Sequence, residues 1–483
     1  MVYGEQSSTS SALGAEVERL RNVVRSQFEI YDIRVSYDAV VFFVSCNPAT
    51  LESKFDAVRT ALVPADYIPF VQKRGGEYTI TVAKRKPVNK RGILWNISLL
   101  AATLVATTIT GAILWAGYFN LANWLTLGNI LNGIVFFVAP VMLILGTHEM
   151  GHYVVAKRFN VSASLPFFLP SLPPLGTLGA FISIRDPFPN RKSLLEIGIA
   201  GPIAGFLVTI PVAFLGLILT QMNPVAAAPL SPGESVFSVP YLYDIIISMF
   251  TFGTNVNFFP TAFAAWVGFF ATALNLLPAG QLDGGHVARA LLGEQSKYVG
   301  WGTVAAMLIL SFEFESWIII AFLVLILGVR HPPPLNDISR LKVSRKMLGA
   351  VALAMFLVSF TPFPITTVPS NTSFNLTSGT GTVMMNSSGV QYFTVTVTNT
   401  GNVQESVNIT QLRSSYFVAT FSPSGSSNQF LGYVLLTVDP GGSAGATVKL
   451  AVVQTTAAGS YLVHIHGESS GFSRTLPVNV QYG

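Results

Sequence analysis

Charge is what this sequence has least of. Asp, Glu, Lys and Arg make up 11% of its 483 residues, where soluble domains carry about 25%. A chain folded wholly in water is thereby excluded. Cysteine is nearly absent: Cys46 stands alone, so no intrachain disulfide can form. The opening residues MVYGEQSSTSSALG lack a basic start followed by an apolar core. A cleaved signal peptide is therefore not expected, and the first apolar span does the targeting. The net charge of +5 is modest, and its placement says more than its sum; no nucleic-acid partner is expected.

Apolar length is what the sequence has in its place: 51% of residues are hydrophobic and mean hydropathy is +0.54. Spans of about 20 apolar residues are read near 94–116, 131–157, 194–220, 257–278, 297–312, 315–330 and 346–363. Asp244 interrupts the apolar stretch 238–254, which is read as re-entrant or interfacial. With that assignment every basic loop, from KRKPVNKR before the first span to GVRHPPPLNDISRLKVSRK before the last, falls on one side. The positive-inside rule then makes the N-terminus cytosolic and puts the C-terminal region outside. The expected fold class is a polytopic α-helical membrane protein of about seven spans, with a small cytosolic N-terminal α/β domain and an extracytoplasmic C-terminal β-sandwich.

Four regions follow from this reading: a flexible tail at 1–12, a soluble cytosolic α/β domain at 13–92, a membrane domain at 93–363 and an external β-sandwich at 364–483. In the second, YDIRVSYDAVVFFVS reads as two strands around a turn, ATLESKFDAVRTALV as a helix, and YIPFVQKRGGEYTITVAKR as a hairpin turning at Gly75–Gly76. The external region alternates, as in QYFTVTVTNTGN, and about seven short strands suggest a sandwich. Its VTVTNTGN pattern is similar to immunoglobulin-like modules of archaeal surface proteins. Sequons stand at Asn371, Asn375, Asn386 and Asn408. His464 and His466 share one strand face, readable as ordinary strand residues or as a metal pair.

The second span carries LILGTHEMGHYVVAKRF. Positions i and i+4 share a helix face, so His148 and His152 can bind one zinc, with Glu149 beside it as a base for an activated water. With 6 His and 23 acidic residues in the chain, chance supplies this pattern roughly 0.004 times. A membrane helix rarely carries such groups without use. A catalytic zinc takes three protein ligands. The third is sought in ALNLLPAGQLDGGHVARALLG at the end of the fourth span, where Asp283 is preferred. His286 is the alternative, with Asp283 then supporting it. Pro278 interrupts the helix ahead of this site, and Gly280, Gly284 and Gly285 loosen its backbone.

These residues resemble the site-2 protease family of intramembrane zinc metalloproteases, including its archaeal members. The family's H-E-x-x-H pattern falls on His148, Glu149 and His152. Its N-x-x-P-x-x-x-L-D-G pattern, two spans later, falls on Asn275, Pro278, Leu282, Asp283 and Gly284. The intervening GIAGPIAGF, with Gly201, Pro202 and Gly205, looks like the family's middle helix, and the resemblance covers about residues 95–330. It implies that His148, His152 and Asp283 bind one Zn2+, that Glu149 is the catalytic base, and that Asn275 hydrogen-bonds substrate or the developing oxyanion. It implies membrane-spanning protein substrates in the lipid bilayer, trimmed beforehand by another protease. The LGTLGAFISIRD segment, with Gly176 and Gly179, reads either as a strand that pairs with unwound substrate or as a plain connecting loop. Gly176, Gly179, Asn275 and Pro278 form the expected substrate-side set. A divalent-metal transporter using the same His/Asp cluster is the alternative reading; it needs the ligands but no base. Oligomeric state is not legible.

Overall fold

The computed structural model describes residues 5–36, 38–85, 92–227, 232–252, 256–386, 388–425 and 429–483. It divides into two compact units, residues 1–227 with 238–364, and residues 228–237 with 365–483.

The first unit begins with α1 (Glu5–Arg25), so the segment read as a tail is helical from Glu5. Strands β1 (Glu29–Val35) and β2 (Ala39–Ser45), helix α2 (Leu51–Leu62), and strands β3 (Tyr67–Arg74) and β4 (Glu77–Lys84) follow. The strands form an antiparallel sheet in the order β1-β2-β4-β3. Alternate residues of β2 point inward, and Phe42 and Val44 pack with Ile80 and Val82 of β4 against Leu20 and Val24 of α1 and Phe55 of α2. β3 is an edge strand, and a distant segment extends it. Val71 donates its N–H to the Leu335 carbonyl at 2.9 Å, and Val71 bridges Asn336 in parallel.

Helices α3 (Ile93–Tyr118), α4 (Leu127–Gly133) and α5 (Ala139–Arg158) follow; α4 and α5 are one continuous rod from Leu127 to Arg158 with a π-helical turn at Ile134–Val138. A short hairpin of β5 (Phe167–Pro170) and β6 (Thr177–Phe181) leads to α6 (Arg191–Met222). Asn190 caps α6 by accepting from the Ser193 N–H in a capping box. Among the described residues three helices are long and apolar enough to cross a membrane: Ile93–Tyr118, Leu127–Arg158 and Arg191–Met222. α7 (Tyr241–Ser248) lies in the segment that Asp244 interrupts, and its 8 residues extend about 12 Å, too short to cross about 30 Å of hydrocarbon. The remaining helices, α8 (Pro260–Asn275), α9 (Asp283–Leu292), α10 (Ser296–Leu310), α11 (Ser316–Leu327) and α12 (Val343–Ser359), have 16, 10, 15, 12 and 17 residues. Asp283 opens α9, a helix separate from α8, because the chain unwinds through Leu276–Leu282 around Pro278.

The second unit is β-rich. β7 (Ser235–Phe237) pairs with β8 (Ile365–Thr367). β9 (Phe374–Ser378), β10 (Thr382–Met385), β11 (Val390–Asn399), β12 (Glu405–Gln411), β13 (Phe417–Pro423), β14 (Tyr433–Val438), β15 (Ser443–Val452), β16 (Gly459–Ser469) and β17 (Phe472–Tyr482) build two sheets. Their orders are β10-β17-β16-β12-β14 and β13-β15-β11-β9. Inward residues of both, among them Val395, Val407, Ile409, Phe421, Val448 and Ile465, share one core. Nine strands stand where about seven short ones were expected. At Asn399–Gly401 and at Asp439–Gly442 the turn carries the chain from one sheet to the other. Asn399 serves both turns from inside, its side-chain amide donating to the carbonyls of Val403 and Val438 at 2.6 and 2.9 Å.

Candidate metal centre

His148 and His152 lie one turn apart on α5, facing α6, with relative exposures of 5% each; Glu149 between them is at 3%. Two imidazoles and a carboxylate this deep need partners, because unpaired polar groups away from water are costly. The partner is Asp283, at the first position of α9. Its Oδ2 stands 3.2 Å from Nε2 of His148 and 3.2 Å from Nε2 of His152, and the two Nε2 atoms are 3.2 Å apart. Three donor atoms at equal separations form one face of a regular tetrahedron. With bonds of about 2.0 Å, tetrahedral zinc has ligand–ligand edges of about 3.3 Å. Two imidazoles and one carboxylate, with a fourth corner left over, fit that ion. His464 and His466 belong to no such group among the described residues; His466 Nδ1 instead meets the Thr475 hydroxyl at 3.0 Å.

The surrounding elements fix the ligands' orientation. His152 donates from Nδ1 to the Ile197 carbonyl of α6 at 2.7 Å. That bond selects the tautomer that leaves the Nε2 lone pair free for a metal. α6 crosses at a glycine: a Cβ on Gly201 would sit 2.0 Å from His152 Nε2, so any side chain there collides with the ligand atom. Gly284 performs the same service for Asp283. A Cβ there would lie 2.1 Å from the Leu276 carbonyl, and its absence lets α9 fold back on the segment that follows α8.

Glu149 stands beside the triad, with Oε1 4.0 Å from His148 Nε2. Its Oε2 is buried without a hydrogen-bond partner among the described residues. The backbone of Ile182, just beyond β6, interacts with its carboxylate. Asn275, the last residue of α8, brings its side-chain amide to 3.4 Å from His148 Nε2. Pro278 lies in the unwound connection from α8 to α9. Gly176 and Gly179 occupy the β5–β6 hairpin with φ of +71° and +107°. A Cβ on Gly176 would strike Thr110 and Thr107 of α3, whereas nothing lies within 4 Å of one on Gly179. The structure thus gathers His148, Glu149, His152, Asn275 and Asp283 and sets the two hairpin glycines on a separate element. His286 does not join the ligands. Its Nδ1 faces Nε2 of His331 at 2.5 Å, and His331 gives its own Nδ1 proton to the Pro332 carbonyl at 2.6 Å. Sequence reading passed over the Ile197 carbonyl and His331. A backbone acceptor leaves no residue-type signal, and His331 sits in a basic loop that reads only as topology.

Residues 136–312 match peptidase family M50, the site-2 protease family, and this segment contains the whole cluster. A probable zinc metalloprotease EGY1, chloroplastic, from Oryza sativa subsp. japonica is 32% identical over 234 residues, covering 45% of this chain and 38% of that protein. A probable zinc metalloprotease EGY2, chloroplastic, from Arabidopsis thaliana is 29% identical over 233 residues, covering 46% and 40%. The aligned part thus spans about two fifths of these relatives' length. Among solved structures, domains 4 and 5 of the S-layer protein SbsC align over 24% of this chain and 57% of that chain at 25% identity, with a TM-score of 0.15. The matched segment is thus similar to a site-2 protease-type domain.

Proposed function

We propose that this chain is an intramembrane zinc endopeptidase that hydrolyses peptide bonds in or near the transmembrane segments of membrane-protein substrates. The observation that carries the reading is Glu149: a buried carboxylate beside three metal-capable donors, with one oxygen unpartnered. A purely structural or transport site has no need of such a base. His148, His152 and Asp283 hold the metal. When bound, zinc supplies Lewis acidity that brings the pKa of a water at the site near 7. Glu149 then accepts the proton of the attacking water and returns it to the leaving amine. Asn275 is placed to donate to the oxygen that gains charge during attack. The β6 edge, which pairs only with β5 among the described residues, offers backbone groups to an unwound substrate strand, with Gly176 and Gly179 shaping the hairpin.

Seven spans, a cytosolic N-terminal domain and an outer C-terminal β-domain complete the proposed arrangement, with α10 and α11, at 15 and 12 residues, short for the bilayer. The membrane supplies the substrates and excludes water, so the peptide bond must be unwound at the site. The decisive experiment is Glu149→Gln assayed on a model transmembrane peptide. The protease reading predicts retained zinc and cleavage reduced by about 10²–10⁴-fold or more. Retained cleavage rejects it, and zinc flux carried by both the wild-type chain and the variant, with cleavage by neither, supports the transport alternative.

A further inference from the structure

The loop 330–338, the start of α10, the end of α9 and strand β3 enclose a cavity of about 550 Å³, within the range of small-molecule sites. It is distinct from the metal centre, and its charges do not balance. Lys73, Arg289, Lys297 and Arg330 line it against Glu294 and Asp337. Asp337 is already shared: its Oδ1 accepts from Arg191 Nε at 2.7 Å and its Oδ2 from Arg289 Nη2 at 2.6 Å. Two guanidinium groups on one carboxylate leave a positive charge over. That charge is buried, since Arg289 is 4% exposed and its Nε and Nη1 have no hydrogen-bond partner among the described residues. A buried cation that must share its one counter-charge is costly, so the site as built is short of an anion. Lys73, Lys297 and Arg330 line the cavity without a carboxylate partner among the described residues; Lys73 and Lys297 rest over the rings of Tyr78 and Tyr298 at 5.0 and 4.9 Å, contacts that leave their charge unneutralised.

The rest of the lining includes apolar residues, Phe70, Leu335 and Ile338 with Pro333 and Pro334. We infer that this cavity binds an organic phosphate, its anionic group held by Lys73, Lys297, Arg330 and the field of Arg289, and its body laid against Phe70 and Leu335. Arginine and lysine together suit phosphate oxygens. The cavity volume suits a nucleotide-sized molecule more closely than a bare ion. Because Lys73 belongs to β3 and the other cations to the loop, α9 and α10, such a ligand clamps the N-terminal sheet onto the membrane domain. It reinforces the Val71–Leu335 strand pairing.

The test uses the full chain purified in detergent and reads binding, so its result does not depend on whether the chain is a protease. Magnesium-free ATP and inorganic phosphate are titrated calorimetrically, and thermal unfolding is followed with each. Nanodiscs of phosphatidylglycerol and of phosphatidylcholine distinguish a lipid headgroup from a soluble phosphate. The expected result is saturable binding with a raised unfolding temperature, for ATP if the source is soluble or for phosphatidylglycerol over phosphatidylcholine if it is lipid. Arg330→Ala should weaken it about tenfold, and Lys73→Ala with Lys297→Ala and Arg330→Ala about a hundredfold or more. If the triple variant fails to fold, the single Arg330→Ala value decides. Binding of neither ATP nor phosphatidylglycerol by the wild-type chain, or binding unchanged by these substitutions, overturns the inference.

Discussion

Gly201 shows how narrowly the centre is drawn at the residue scale. Its missing side chain is the space that the His152 ring occupies. Gly201→Ala should therefore displace His152 and lower zinc affinity by about 10- to 100-fold or more, measured as zinc bound per chain under competition with a chelator. The protein should still fold, because the change adds one methyl group. Asn275→Ala probes a different property. It leaves the three ligands intact, so zinc content should hold while kcat falls by about 10²–10³-fold, the scale of losing one oxyanion donor. At this scale the sequence was informative. A His pair at i and i+4 with an intervening acid is rare in so acid-poor and histidine-poor a chain, and its geometry follows from helix periodicity alone.

At the element scale, the hairpin β5–β6 stands near the centre through Ile182, which interacts with Glu149. Gly179 has φ of +107° and open space around it, so Gly179→Pro perturbs the edge rather than the packing. Cleavage of a transmembrane peptide should drop while zinc content stays; unaltered cleavage would remove the strand from the mechanism. Helix ends were only partly legible. Pro278 and the following glycines announced a break, but the start of a new helix at Asp283 depends on Gly284 meeting the Leu276 carbonyl, a tertiary contact with no local signature. The sheet exchanges at Asn399–Gly401 and Asp439–Gly442 were hidden for a related reason. Alternation marks a strand but not its partner, and a turn signal reads the same whether the chain stays in one sheet or changes sheets.

At the scale of the first unit, the N-terminal sheet is joined to the rest of that unit by contacts that no local pattern reveals: Val71 with Leu335, and Arg85 with Asp186. Arg85 Nη1 lies 2.8 Å from Asp186 Oδ1, and Arg85 Nη2 donates to the Arg185 carbonyl at 2.7 Å. Burial by itself pushes the Asp186 carboxyl up, but the bonds from Ser162 and Arg85 together outweigh it and hold the carboxyl below its usual value. A carboxyl depressed on folding stabilises above its unfolded pKa, and that contribution is lost as pH falls through the folded one. Docking of the N-terminal domain should thus be constant at neutral pH and weaken below about pH 4. Asp186→Asn should lower docking at neutral pH toward the level the wild-type chain reaches once Asp186 is protonated, and flatten the acid dependence. Hydrogen exchange of β3 and β4 measured against pH checks both.

The central claim is that two helices far apart in sequence close around a single ion through His148, His152 and Asp283. Zinc per chain, measured by mass spectrometry on the purified protein and on Asp283→Ala, tests it most directly. The account predicts one zinc per wild-type chain and close to none in the variant at equal folded yield. Equal zinc in both would contradict it.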